Sequence, residues 1–123
     1  IDSRRWIGRP LMKRGEIWIA SLDPKKGSEV GKQRPVLILQ TDLLNDVAHP
    51  TVIVVPISSQ AQTENVLRFR VENPGLHKEL GFVLIDQVRT IDGAQRLRKK
   101  IGKLKDSELE QISVLLKQVL DLV

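Results

Sequence analysis

Apolar residues fall along this chain in short runs with a period near two, until a last segment changes to helical spacing. Gly15 to Leu22 places Ile17, Trp18, Ile19, Ala20 and Leu22 in a first strand, which Asp23 and Pro24 stop. Residues 23 to 33 are polar and glycine-bearing, a long hairpin loop in which Gly27 and Gly31 let the backbone bend. Pro35 fixes its own φ and pushes Arg34 towards extended geometry, so a second strand starts at Arg34 and runs into Val36, Leu37, Ile38 and Leu39. Thr41 to Pro50 reads as a short helical turn plus a loop. Thr51 to Ile57 is β-branched almost throughout and predicts a buried strand, with Pro56 implying an edge or a rim.

After the polar stretch Ser58 to Asn65, Val66 to Val71 alternates. Leu67, Phe69 and Val71 share one face, Arg68 and Arg70 the other, the pattern of a half-exposed strand. Asn73 to Gly75 makes a turn, Leu76 to Leu80 is ambiguous, Gly81 to Ile85 supplies a further strand, and Asp86 to Asp92 continues it past a bend. In the last segment Leu109, Ile112, Leu115, Leu116, Val119, Leu120 and Val123 recur at helical spacing, and Ser107 with Glu110 fits a capping box. Short strands, hairpin-like connections and one terminal helix predict a mainly β fold, a small antiparallel barrel closed on one side by that helix.

Composition narrows the function classes. The chain has 123 residues, one domain's length, with 41% hydrophobic and 28% charged residues, as in globular proteins. It has no apolar run long enough for a membrane helix, and no cysteine, which excludes thiolate chemistry and allows a cytoplasmic setting. The net charge of +5 suggests a polyanionic partner. Residues 1–11 contribute three arginines against one aspartate and show no strand or helix pattern, so they are set apart as a vector-derived or disordered arm, with the domain at 12–123.

Metal chemistry is poorly supported. His49 and His77 lie alone in turns, the carboxylates form no close cluster, and no phosphate-binding P-loop or dinucleotide fingerprint is present; no metal or cofactor is expected. Ring stacking on bases is equally short of material. Aromatics make up 3% of the chain, Trp6 lies in the suspected arm, and Trp18, Phe69 and Phe82 fall on apolar strand faces. A nucleic acid would have to be gripped by arginine, lysine, amides and backbone. The basic run Arg96, Arg98, Lys99, Lys100, Lys103 and Lys105 fits a phosphate track or the solvated face of an edge strand equally well. Arg34, a guanidinium on a stiff strand beside a flexible loop, is suited to phosphate but by itself fits a plain strand-start ion pair too.

Four stretches taken together carry a resemblance: K-R-G-E-I-W-I-A-S-L-D-P at 13–24, G-S-E-V-G-K-Q-R-P-V-L-I-L at 27–39, V-V-P-I-S-S-Q at 54–60 and L-I-D-Q-V-R-T-I-D at 84–92. In this order and spacing the chain resembles the MazF/PemK family of toxin endoribonucleases over essentially all of Met12 to Val123. The resemblance implies an SH3-like barrel that forms a homodimer and acts as a ribosome-independent, sequence-specific mRNA interferase, held in check by a MazE-like antitoxin. It implies Arg34 and Ser58 as the catalytic pair. The family often has threonine where this chain has Ser58, which lacks the stiffening methyl, so Ser59 is an alternative. Ser28, Glu29, Gln60 and Gln87 match positions that approach RNA. The implied reaction is attack of a ribose 2′-hydroxyl on the adjacent phosphorus, leaving a 2′,3′-cyclic phosphate and a 5′-hydroxyl. The base is left open, since a guanidinium is a poor proton acceptor and Glu29 or water could serve. Two other readings are a same-fold toxin that binds DNA gyrase and a non-catalytic nucleic-acid-binding barrel.

Overall fold

In the computed structural model the residues described are 11–24, 26–29, 31–60, 65–72 and 80–122. The strands are β1 (Glu16–Ser21), β2 (Gln33–Ile38), β3 (Thr51–Ser58), β4 (Arg68–Glu72), β5 (Leu80–Leu84), β6 (Arg89–Asp92) and β7 (Leu97–Lys103). The helices are α1 (Asp42–Asn45), α2 (Gly93–Arg96) and α3 (Asp106–Val119), and a 3-10 turn spans Ile85–Gln87. All strand pairs are antiparallel. Their order is β4-β5-β3-β2-β1-β7, with β6 added to β3. The mainly β fold with a C-terminal helix is the expected one, although among the described residues the ladder is open, with β4 and β7 at its ends.

The run Val36-Leu37-Ile38 is continuous because β2 is buried on both faces. One face joins Trp18, Ala20, Val36, Ile38, Val52 and Val54 in a first cluster. The other joins Ile17, Leu37, Val55 and Ile57 in a second, which α3 covers with Ile112. Each fully buried Ile or Leu contributes roughly 1.5–3 kcal/mol. Gly81 lets β5 approach β3 closely: a Cβ there would stand 2.6 Å from Ile57 Cγ2.

Two local expectations need correction. Pro56 is not at an edge but inside β3, the strand with the most neighbours; of the two positions expected for it, the rim is the one it takes, since the β2–β3 ladder ends at Val36–Pro56. Ile53 turns its carbonyl to Leu39 and Gln40 of the β2 side, so by alternation Pro56 faces the opposite side. There β3 leaves β6 after Val54 and meets β5 only at Ile57, so the missing N–H falls in the gap between two ladders. The helix cap is also shifted. The Lys105 N–H donates to Glu108 Oε1 at 3.4 Å, not Ser107 to Glu110. A lysine has no side-chain acceptor to return the bond, so only half of a capping box exists.

The bend foreseen at Asp86 is the 3-10 turn, and β5 and β6 lie on the same side of β3. Segment 95–104 forms the end of α2 and then β7, an edge strand. Its lysines are exposed, and Lys100 pairs with Glu16 at 2.9 Å. Burial pushes the Glu16 carboxyl upward, but Lys100, the Lys13 N–H and the Trp18 indole outweigh it and hold the group below its ordinary value. Arg14 ties β1 to the helix, donating to the Leu39 carbonyl at 3.0 Å and to Ser113 Oγ at 2.9 Å. Of the arm set apart at 1–11, only Leu11 is among the described residues, and it is exposed; the turn at 73–75 and the ambiguous stretch up to 79 lie outside them.

Candidate functional site

One proline decides where the sheet opens. In β2, Leu37 bonds towards β3, so Pro35 faces β3 as well and has no N–H to offer it. The β2–β3 ladder therefore stops at Val36–Pro56, while the β1–β2 ladder goes on through Ala20–Arg34 to Ser21–Gln33. On the far side β3 stays with β5 through Ser58–Phe82. The strands part at the rim. The β2–β3 register carried two residues further sets Arg34 opposite Ser58, and both lie on the face of Val36 and Val54. Ala20, fully buried beside Arg34, leaves it room.

Arg34 is half-buried and donates Nε to the Gly31 carbonyl at 2.8 Å. Its two Nη groups have no protein acceptor among the described residues. That contact orients the fork and leaves the donors suited to a phosphate unspent. Ser58 is buried, and its Oγ accepts the Gln60 N–H at 3.2 Å. With that lone pair occupied, the hydroxyl proton has no acceptor among the described residues. A buried donor with nothing to donate to calls for an explanation, and a ligand oxygen would supply one.

The β1–β2 loop reaches across the end of β3. Gln87 Nε2 donates to the Ser28 carbonyl at 3.3 Å, although the loop lies on the β2 side of β3 and the 3-10 turn on the other. Between them is an open cleft of about 280 Å³ lined by Ser28, Glu29, Asp86, Gln87, Val88 and Arg89. The Glu29 carboxylate is committed to its own turn, accepting the Lys26 N–H at 3.2 Å while the Glu29 N–H donates to the Lys26 carbonyl at 3.0 Å. At the root of the loop Lys32 has φ of +66°, a conformation that costs a non-glycine residue about 1 kcal/mol or more.

Of the residues singled out from sequence, Arg34 and Ser58 each lie two positions beyond the last β2–β3 pair, on strand positions that share a face, and Ser28, Glu29 and Gln87 share the cleft. Ser59 and Gln60 are exposed just past β3, and Gln60 touches the site through its backbone. Sequence reasoning missed Arg89, which lines the cleft. Its signal was present, one arginine next to apolar Val88 in D-Q-V-R-T, but nothing in the pattern tells which way a residue after a bend will face.

The basic run divides. Arg96 is occupied by the carbonyls of Ser21 and Asp23, at 3.0 and 2.6 Å, and Lys100 by Glu16, which favours the edge-strand reading over a phosphate track. Trp18 and Phe82 are buried and Phe69 packs against the second cluster, as their strand positions suggested. His49 is half-buried, His77 lies outside the described residues, and among the described residues no three His, Asp or Glu groups gather as a metal cage.

Known proteins share this architecture. Residues 13–120 match the family described as PemK-like, MazF-like toxin of type II toxin-antitoxin system. The chain is 35% identical to Endoribonuclease EndoA of Bacillus subtilis, over 92% of this chain and 97% of the relative. It is 34% identical to Endoribonuclease MazF of Staphylococcus saprophyticus, over 84% and 86%. The solved toxin MazF-mt6 of Mycobacterium tuberculosis superposes with a TM-score of 0.71 at 28% identity, over 88% of this chain and 98% of that one. With the match running from the start of the first strand to the end of the last helix, the chain belongs to the PemK-like, MazF-like toxins of type II toxin–antitoxin systems.

Proposed function

We propose that this chain is the endoribonuclease toxin of such a system, cutting single-stranded mRNA at the rim where β2 and β3 part. The observation that carries the reading is the pair of unspent donors, the Arg34 Nη groups and the Ser58 hydroxyl, on one strand face just past Val36–Pro56, where the β2–β3 ladder ends. The 2′-oxygen of a ribose attacks the neighbouring phosphorus, the bond to the 5′-oxygen breaks, and one fragment keeps a 2′,3′-cyclic phosphate while the other leaves with a 5′-hydroxyl. Arg34 stabilises the doubly charged phosphorane and Ser58 donates to a non-bridging oxygen. The proton leaving the 2′-hydroxyl goes to water, and water returns one to the departing 5′-oxygen. Glu29 is a weaker choice as base, because its carboxylate already closes its own turn. Ser28, Glu29 and Gln87 line the cleft proposed for a flanking nucleotide, and Arg89 adds a positive group to it; Ser59 and Gln60, exposed just past β3, are proposed to meet the RNA beside it.

The reaction needs no metal. Incubating the purified chain with a long single-stranded RNA in EDTA should yield discrete fragments whose 5′ ends accept a phosphate from polynucleotide kinase without prior phosphatase treatment. Intact RNA, or fragments only when magnesium is present, would sink the reading.

The setting proposed is the cytoplasm, where mRNA is met; no helix among the described residues is long and apolar enough to cross a membrane. The restraining partner is an acidic, partly disordered MazE-like antitoxin laid along the basic rim. A homodimer is proposed as well, since Val66, Val114, Leu120 and Leu122 are exposed and α3 with β4 frames an apolar groove of about 520 Å³. Analytical ultracentrifugation at micromolar concentration should give twice the chain mass, and a monomer there would count against it.

A further inference from the structure

The root of the β1–β2 loop is fastened by a series of contacts that ends on Arg34. Asp23 Oδ1 accepts the Lys32 N–H at 2.6 Å, the Lys32 carbonyl accepts the Leu22 N–H at 2.8 Å, and the Gly31 carbonyl accepts Arg34 Nε at 2.8 Å. Arg96 steadies the same root from β7, holding the carbonyls of Ser21 and Asp23. The Gly31 carbonyl and the Lys32 N–H belong to one planar peptide group, and in a trans peptide they point in opposite directions. Whatever fixes the N–H therefore aims the carbonyl.

We infer that Asp23 is a positioning residue for Arg34, acting through the Gly31–Lys32 peptide. The carboxylate grips one end of that rigid plane and the guanidinium is held by the other. A charged acceptor on the N–H also polarises the carbonyl and strengthens its bond to Nε. Without the carboxylate the peptide has a reason to turn over, because Lys32 sits at φ of +66° and rotation relieves it, while Gly31 offers little resistance. Turning the peptide withdraws the carbonyl from Nε. The fork is then free to swing, and its Nη donors spend less time where a phosphorane forms.

The inference rests on the proposed role of Arg34, and the test separates the two. Asp23→Ala, Asp23→Asn, Asp23→Ala with Lys32→Gly, and Arg34→Ala are compared with wild type on the same RNA, well below each variant's melting temperature. Asp23→Ala should lower kcat about tenfold with KM within about twofold of wild type, since positioning acts on the transition state more than on binding. Asp23→Asn, whose amide oxygen still accepts the Lys32 N–H, should keep most of the rate. Adding Lys32→Gly to Asp23→Ala should recover part of it, because glycine holds a positive φ without strain and the peptide loses its reason to turn. If Arg34→Ala is inactive while Asp23→Ala cuts at the wild-type rate, loses only KM, or is matched in its defect by Asp23→Asn, the positioning role is wrong and the nuclease reading stands. If Arg34→Ala cuts as well as wild type, the role of Arg34 and the positioning role of Asp23 both fall.

Discussion

Arg34→Ala should lower the single-turnover rate of RNA cutting by about 10³-fold, roughly 4 kcal/mol of transition-state stabilisation. The size follows from where the guanidinium is held. Its Nε is spent on Gly31, its backbone is paired with Ala20, and its Nη groups have no protein acceptor among the described residues, so they meet a phosphorane without first giving up another partner. RNA affinity should change far less, because a ground-state phosphate carries less charge than the phosphorane and Arg89 also lies on the proposed path. Arg34→Lys should recover only a small part of the rate, since an ammonium lacks the planar fork and cannot hold the Gly31 carbonyl while bridging two oxygens. Rapid-quench kinetics at saturating enzyme checks all three statements. A loss confined to binding would show that Arg34 grips substrate and takes no part in the chemistry.

Ser58→Ala should cost about 10²-fold in the same assay, the usual scale for one neutral donor removed from a developing charge. Ser58 is buried at the end of a core strand and tied by Gln60, so its hydroxyl has a fixed position. Ser59, exposed one residue later, has none of that support, and Ser59→Ala should stay within about threefold of wild type. Ser58→Thr should retain activity, because a hydroxyl remains and the added methyl restricts its rotation. Should Ser59→Ala be the more damaging change, the hydroxyl assignment is off by one residue.

Much of this was legible in the chain. Val36 to Ile38 and Val54 to Ile57 announce core strands because both their faces are buried, and the helical apolar spacing after Ser107 leaves no alternative to a helix. Arg34 and Pro35 together point to a rim, since proline limits what the arginine backbone can do. Pro56 pointed to an edge or a rim, and the edge half failed for a related reason. A proline excludes a ladder bond on one side of a strand only, and which side, and whether a neighbour waits there, is settled by strands far away in sequence.

The cleft partners were harder. Ser28 and Gln87 meet across the end of β3, 59 residues apart, and no local pattern encodes a contact between a loop and a distant turn. Arg96 and Lys100 read as a positive strip in one dimension. In three dimensions one fastens a loop root and the other neutralises Glu16.

The parting of β2 from β3 has a consequence for how such a toxin can diversify. The opening is written into the backbone by Pro35, not by large side chains wedging the strands apart, so the gap is present before any substrate arrives. If RNA is cut there as proposed, residues of the overlying loops can be exchanged over generations, altering which nucleotide sequence is tolerated, with little penalty to the stability of the scaffold beneath.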